Sequence, residues 1–280
     1  MTGAIFCYHS QNCGDGRGVA SDHDALLENL EAIARFNLPI LPLETIARAL
    51  TDPATHVLPE YFVGLSADDG TYLDWRDYQH PSLGLQKSFA GIIREHCDKH
   101  ALPKVGMLTS FVIASPKARA AIDNECYEGL QLSTDDWWQE AAREGLIHIE
   151  NHSWDHAHPA IGSAALDRGS LGSFHAVTSQ ELAAAQVIEA QSYIDDNCGQ
   201  NNRRSCLFAY PYGHTNEYLV SHFLPNQGRR SGILGAFSTE RAFVTKDTNP
   251  YCIPRYVCGE AWLGPEQFDA ILSSLTAGTN

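Results

Sequence analysis

Basic residues are scarce in this 280-residue chain: 19 lysines and arginines stand against 34 aspartates and glutamates, a formal charge of −15 with histidine neutral. That balance argues against nonspecific binding to nucleic acid or an anionic membrane, both of which need a positive patch. Long hydrophobic runs are missing too. No stretch of about 18 apolar residues occurs, so no membrane-spanning helix is read. The opening MTGAIFCYHS has neither a basic n-region nor a long apolar h-region, so no export leader is expected. Localisation stays open between the cytoplasm and export after leader removal. No repeat, low-complexity tract or Pro/Ser-rich linker marks a domain boundary. The eight cysteines contain no CxxC pair, which argues against a zinc ribbon or a thioredoxin-type centre. They are also too sparse for a disulfide scaffold. Free, mostly buried thiols are the expectation, with Cys198–Cys206 and Cys252–Cys258 as the local bridges open to an exported protein.

What the chain does have is a hydrophobic content of 44% in short apolar runs that alternate with helical patterns. This is the sequence form of βα units around a parallel sheet. Strands are expected at Ala4–Tyr8, Tyr61–Ser66, Val105–Ile113, Leu146–Glu150, Cys206–Tyr210, Ile233–Phe237 and Cys252–Val257. Helices are expected near Asp24–Arg35, capped by Ser21 with Asp24, and over Leu85–Lys99. Three more are read: Ser133 with Asp136 running to Arg143, Thr178 with Glu181 before Leu182–Asp195, and a last one with Pro265 in its first turn. This alternation favours a closed or nearly closed barrel, with an open doubly wound sheet as the alternative. The segments 71–84 and 157–177 carry no regular pattern and are expected to shape a cleft.

The ionisable clusters fall just after strands, where parallel α/β sheets form their active sites. Asp68-Asp69-Gly70 follows the second strand, and adjacent carboxylates there point in different directions, one free to bind a metal and one to act as a base. Asp-Gly is also an ordinary turn signal. Asn151-His152-Ser153-Trp154-Asp155-His156 holds two imidazoles four residues apart, which on a helical turn would share one face. Two His and one carboxylate make the three-ligand set of a catalytic zinc site. Asn151-His152-Ser153 also matches a glycosylation sequon, which a buried metal site would leave unmodified. Phe208-Ala209-Tyr210-Pro211-Tyr212-Gly213 ends a strand in a Pro-aromatic-Gly turn able to present a backbone N–H to a cleft.

These three clusters, in this order, resemble the polysaccharide deacetylase family (the NodB-homology domain, carbohydrate esterase family 4), over roughly residues 3–260. The resemblance implies a distorted (β/α)7 barrel, one catalytic domain over residues 1–280, and metal-dependent removal of acetyl groups from an N-acetylated amino-sugar polymer or oligomer. It implies Asp68 as general base, Asp69, His152 and His156 as metal ligands, and the Tyr212 backbone N–H at the oxyanion. Two departures stand out. The arginine that many members carry before the Pro-Tyr-Gly turn is Ala209 here, and Arg255 is the candidate replacement. The late Leu-x-His motif is absent, since no histidine follows His222. Another group of the family uses a histidine of the first strand within a Tyr-His pair, and Tyr8-His9 resembles that arrangement, so the resemblance implies His9 as general acid, acting from the opposite side, with His158 and His214 as alternatives.

A His-His-Asp set suits Zn²⁺ best and also admits Co²⁺ or Ni²⁺. Trp75, Trp154, Tyr210 and Trp262 are candidate walls of a glycan cleft, whereas Trp137 and Trp138 read as packing residues of a helix. Two other functions fit the same scaffold. One is hydrolysis of a small ureide-type amide; the other is noncatalytic glycan binding, against which the presence of both Asp68 and His9 speaks.

Overall fold

The computed structural model describes residues 1–14, 21–165, 171–198 and 203–277. In chain order the elements are β1 (Thr2–Tyr8), α1 (Asp22–Arg35), α2 (Leu43–Thr51), β2 (Tyr61–Ala67), a hairpin of β3 (Tyr78–His80) and β4 (Gly84–Gln86), and α3 (Phe89–His100). Then come β5 (Leu108–Val112), α4 (Pro116–Cys126), α5 (Trp138–Glu144) and β6 (Ile147–Asn151). A long helix follows, from α6 (Gln180–Ala183) through a π-helical turn at Ala184–Ile188 into α7 (Glu189–Asn197). β7 (Leu207–Ala209), a π-helical stretch (Tyr218–Gly228), β8 (Gly235–Phe237), β9 (Val244–Thr245), β10 (Tyr256–Val257) and α8 (Pro265–Thr276) complete the chain.

The parallel sheet runs β10-β1-β2-β5-β6-β7-β8, with β9 antiparallel on β1. The far edge curls back: Phe237 bridges to Ile253, and the Ser238 N–H donates to the Ile253 carbonyl at 2.8 Å. Four residues later Val257 pairs with Cys7. Residues 253–257 therefore lace the last strands to the first, and the sheet becomes the distorted (β/α)7 barrel expected from the sequence.

β1, β2 and β5 are buried almost throughout, because helices cover one face and the barrel interior the other. Alternate residues serve the two layers. Ala4, Phe6 and Tyr8 pack outward with Leu30, Ile93 and Phe268. Ile5, Phe62, Phe111, Leu207 and Ile253 pack inward with Leu43, Ile46 and Ala47 of α2. The sequence reading did not name α2, although Leu43, Ile46, Ala47 and Leu50 recur at helical spacing.

Other boundaries shift for local reasons. α3 begins at Phe89 rather than Leu85 because Ser88 caps it, accepting from the Gly91 N–H at 3.1 Å, while Gly84–Gln86 pairs back onto Tyr78–His80. Ser179, not Thr178, caps the long helix by accepting from the Leu182 N–H at 3.2 Å. The expected start at Ser133 is displaced because Asp123 accepts the backbone N–H groups of Gln131, Leu132 and Ser133, and α5 starts at Trp138. α4, capped by Ser115, was not anticipated. All eight cysteines are free thiols. Among the described residues, no helix is long and apolar enough to cross a membrane.

The turn after β2 depends on glycine. Gly70 holds φ +67°, and a Cβ there would stand 2.4 Å from Val112 Cγ1 and 2.8 Å from Val112 Cα. Gly70→Ala is expected to cost roughly 2–3 kcal/mol, from the left-handed backbone and the clash with β5 together. The check is a fall of about 3–6 °C in melting temperature; an unchanged Tm would refute this account of the turn.

Candidate active site

Four strand ends build one cleft. The Asp68 N–H donates to the Tyr8 carbonyl at 3.0 Å and the His152 N–H to the Val112 carbonyl at 2.9 Å, so each motif leaves its strand still pinned to the neighbouring one. The cleft, about 300 Å³, is lined by His9, Asp68, Asp69, His152, His156, His158 and Tyr212, among others.

At its floor Asp69 Oδ1 lies 3.7 Å from His152 Nε2 and 3.6 Å from His156 Nε2. Ligand atoms each about 2.1 Å from a tetrahedral ion stand about 3.4 Å apart, so the three donors fit one divalent ion with little movement. Two of the three donors are pre-aimed by hydrogen bonds, and His156 Nδ1 has no such partner. His152 Nδ1 donates to the Ala209 carbonyl at 2.9 Å, so in the neutral ring the lone pair sits on Nε2. Asp69 Oδ2 accepts from Gln11 Nε2 at 2.6 Å, which leaves Oδ1 for the imidazoles. Burial, reinforced by His152, pushes the His156 imidazole down to about 3, so it is neutral at physiological pH as a ligand must be.

The two histidines do not share a helical turn, as the sequence reading expected. Residues 152–156 form an irregular loop in which Ser153 (φ 75°) and His156 (φ 60°) are left-handed. The residues between the histidines hold that shape: Asn151 Oδ1 accepts from the Ser153 N–H, Ser153 Oγ from the His156 N–H, and Asp155 Oδ1 from the Ala157 N–H. The π-helical turn at Ala184–Ile188 supports the loop from behind. The Gln186 carbonyl accepts from the Trp154 N–H at 2.9 Å, the Val187 carbonyl from Asn151 Nδ2 at 2.8 Å, and Gln186 Nε2 donates to Asp155 at 2.7 Å. π-bulges of this kind are frequent at functional sites.

Asp68 plays no part in that donor set's contacts with Gln11 or the loop; it is held by Arg255. The guanidinium, 0% exposed, makes a two-pronged pair at 2.6 Å (Nη1–Oδ1) and 2.8 Å (Nη2–Oδ2). Its Nε donates to the Ser238 carbonyl at 3.1 Å, which fixes the fork. Burial alone would raise the Asp68 carboxyl, but Arg255, with His152, more than offsets it and holds it well below the usual carboxylate range.

His9 is clamped through its backbone, whose N–H donates to Asp22 Oδ2 at 2.6 Å. A ring nitrogen of His9 lies within 4.8 Å of an Asp68 oxygen and the Cys7 thiol, so this histidine stands beside Asp68 and not across from it. His158 adjoins His156, ring centroids 5.9 Å apart, and its Nδ1 accepts from the Ala160 N–H at 3.1 Å. His214 stacks on His175 at 4.2 Å and is not among the lining residues. Tyr212, left-handed at φ 58°, lays its ring 4.4 Å from that of His156 and is 39% exposed.

In comparison with known sequences, the family model described as polysaccharide deacetylase matches residues 105–223. That stretch of the chain is similar to the polysaccharide deacetylase family. The matched stretch contains His152, His156 and Tyr212; His9, the Asp pair and Arg255 lie outside it. No curated protein matches the chain. Three solved structures share its fold. The Streptococcus pyogenes deacetylase PplD, in complex with acetate, is 15% identical with a TM-score of 0.60, over 95% of this chain and 96% of that one. IcaB from Ammonifex degensii is 15% identical with a TM-score of 0.61, over 98% and 97%. The de-N-acetylase from Aggregatibacter actinomycetemcomitans is 15% identical with a TM-score of 0.58, over 91% and 94%.

Within this barrel the four aromatics expected to wall the cleft lie elsewhere. Trp75 is buried under Arg94, whose guanidinium sits 4.4 Å from its ring centroid. Tyr210 is fully buried and donates its hydroxyl to the Tyr251 carbonyl at 2.8 Å. Trp262 packs in the outer core against Phe6, Tyr8 and Phe268. Trp154 stands edge-on to Tyr193 and borders a separate groove beside α4. Trp137 and Trp138 are buried, as expected of packing residues.

The sequence reading missed Gln11, Tyr127, Thr239 and Glu260, of which the last three line the cleft, and also Asp74. Asp74 is fully buried beneath the Asp pair, takes hydrogen bonds from Ser10 and Ser110, and is pushed up to about 7 by burial. Only the TYLD stretch after the Asp pair hinted at it, as a third carboxylate close in sequence.

Arg255→Met would leave Asp68 buried without its partner, a loss of about 3–5 kcal/mol at pH 7. The sign with pH follows from the depressed carboxyl. The stabilisation is complete above the unfolded value of about 4 and is lost as pH falls below it, whereas the variant's Asp68 takes up a proton at higher pH and is relieved by it. Urea unfolding at intervals from pH 7 to pH 4 should therefore show the gap between the two proteins narrowing. A gap that is constant or widens would contradict the pairing.

Proposed function

We propose that this chain is a metal-dependent N-deacetylase acting on an N-acetylated amino-sugar polymer or oligomer, releasing acetate and a free amine. The observation that carries the reading is the adjacency, in one cleft, of a three-donor set (Asp69, His152, His156) and a separate carboxylate, Asp68, locked by Arg255. The match of residues 105–223 to the polysaccharide deacetylase model and the deacetylases among the structures sharing the fold support it. A cleft of about 300 Å³ is at the small end of ligand sites and suits one sugar unit bearing its acetamide.

The donor set would hold a divalent ion, with Zn²⁺ suited best and Co²⁺ or Ni²⁺ next; when bound, such an ion supplies Lewis acidity and draws the pKa of a water from 15.7 toward about 7. Asp68, ionised and immobile, accepts a proton from the water that attacks the acetamide carbon. The turn at Tyr212 directs its backbone N–H toward the carbonyl oxygen as that oxygen gains charge, and a well-placed donor contributes about 3–4 kcal/mol there. His9 gives a proton to the departing nitrogen, so that acetate and the amine separate and the C–N bond breaks. With no buried tryptophan available to the cleft, the half-exposed ring of Tyr212 is the surface against which a sugar face stacks.

Two sets of variants test this reading. Asp68→Asn is expected to retain bound metal and to lose about 10²–10⁴-fold in acetate release from a glycan panel of chitin oligomers and poly-N-acetylglucosamine. His152→Ala is expected to lose the metal itself, read by elemental analysis. Full activity in Asp68→Asn, or activity toward ureides with none toward glycans, would overturn the proposal. The proton donor is tested apart from the base. His9→Ala should slow amide cleavage about 10²–10⁴-fold while leaving hydrolysis of an activated aryl acetate nearly unchanged, because that leaving group departs without a proton. Equal losses on both substrates, or a selective loss in His158→Ala, would remove His9 from the role.

A further inference from the structure

α1 and α3 pack side by side in the outer layer, and between them lies a second cluster of metal-ligating side chains. His96 and His100, in His96-Cys97-Asp98-Lys99-His100, are four residues apart in the last turns of α3, a true helix, so their rings share one face with centroids 4.5 Å apart. Glu31 of α1 faces them. Its Oε1 lies 3.5 Å from His96 Nδ1 and 3.6 Å from His100 Nε2. One ligand atom from each of the three residues lies within 4.8 Å of the others, as in the catalytic cluster.

Two features point to a ligand. His96 Nδ1 and His100 Nε2 are both buried atoms without a hydrogen-bond partner, and the His96 side chain is 2% exposed. Buried nitrogens that converge on one carboxylate oxygen at 3.5 and 3.6 Å, too far for good hydrogen bonds, are costly to maintain. The carboxylate is also divided in a useful way: Lys99 Nζ takes Oε2 at 2.6 Å, which leaves Oε1 turned toward the imidazoles. α3 ends here and leads by a short loop into the start of β5, whereas the catalytic residues follow strand ends, so none of the three residues touches the cleft.

We propose that Glu31, His96 and His100 form a second divalent-metal site, a clip that ties α1 to α3 apart from the catalytic centre. Two imidazoles and one carboxylate select Zn²⁺, Cu²⁺, Ni²⁺ or Co²⁺ and discriminate against Mg²⁺ and Ca²⁺, which require oxygen ligands. The site is independent of the catalytic reading and would exist in a chain with no enzymatic activity.

Zn²⁺ dialysis of the full chain followed by elemental analysis is expected to give two ions per wild-type molecule, one in His100→Ala and one in Glu31→Gln. His152→Ala, whose catalytic site is disabled, should also keep one ion. Its melting temperature should rise by roughly 5 °C when Zn²⁺ is a hundredfold above the dissociation constant, and adding His100→Ala should abolish that rise. His100 is 30% exposed and Glu31 36%, so both substitutions leave the core intact. One ion per wild-type chain, retained by His100→Ala, would overturn the proposal. So would a Tm loss in His100→Ala that is the same with Zn²⁺ as with chelator, the signature of an ion-pair network and nothing more.

Discussion

Two adjacent carboxylates buried in one cleft are the constraint on which the rest of the structure depends. Asp68 is 4% exposed, and Asp69, with an 18% exposed side chain, is nearly as enclosed. Both are nevertheless held ionised, each pushed below its ordinary value against the effect of burial. Among the described residues the interior supplies one permanent positive charge for them, Arg255, whose two terminal nitrogens both pair with Asp68. That commitment explains why the barrel closes. Arg255 lies 187 residues from Asp68 and reaches it only because residues 253–257 return to pair beside β1. Barrel closure and charge neutralisation are thus one event. After it, one uncompensated carboxylate remains, facing two imidazoles whose nitrogens are already turned toward it. A donor set with that charge and those lone pairs is suited to a dication.

The backbone of the site is as constrained as its electrostatics. Asp69, Ser153, His156, Ala157 and Tyr212 all have positive φ, five of the nine non-glycine residues in that state among those described. Such conformations persist only where surrounding contacts over-determine them. Here those contacts can be named: the Gly70 turn against Val112, the Asn151–Ser153–Asp155 bonds, and the carbonyls of Gln186 and Val187 in the π-helical turn. The strain lies in the first residues beyond each strand, so the rigid sheet fixes where each motif starts and the turn fixes where its side chain ends.

This division explains what the sequence made legible. The strands were readable because a sheet covered on both faces needs unbroken apolar runs, and the Asp pair and HxxxH were readable because ligand chemistry allows few residue types. The wall aromatics were misread for the same reason the strands were found. In a sheet buried on both faces, burial has no period of two to say which way Tyr210 or Trp262 points, and a tryptophan's large apolar area is as useful in a core as in a cleft. The helical-turn reading of His152 and His156 failed because i, i+4 spacing has two solutions, and Ser153 and Asp155 choose the loop by bonding the local backbone. Gln11 and Gln186 carry no signature at all, and Asp74 only its closeness in sequence to the Asp pair. An amide or a carboxylate becomes a supporting residue through a partner distant in sequence, as Gln186 does with Asp155 across 31 positions.

The Asp68–Arg255 pair also sets a limit on the chemistry. A carboxylate gripped at both oxygens and held far below its ordinary value is always ionised, yet it is a feeble base toward ordinary water. Loosening the grip would raise its basicity, but it would also free the side chain to rotate and to take up a proton from solvent. The arrangement therefore favours position over proton affinity, which works only where the attacking water is itself made acidic within the same cleft. On the proposed reading Asp69, His152 and His156 create that condition; His152 Nε2 stands 3.8 Å from Asp68 Oδ2, close enough to help hold it ionised but beyond a hydrogen bond, and none of the three competes for Arg255. The two halves of the site are thus kept apart in hydrogen bonding while they share a strand end, which is what the different roles proposed for the adjacent aspartates require.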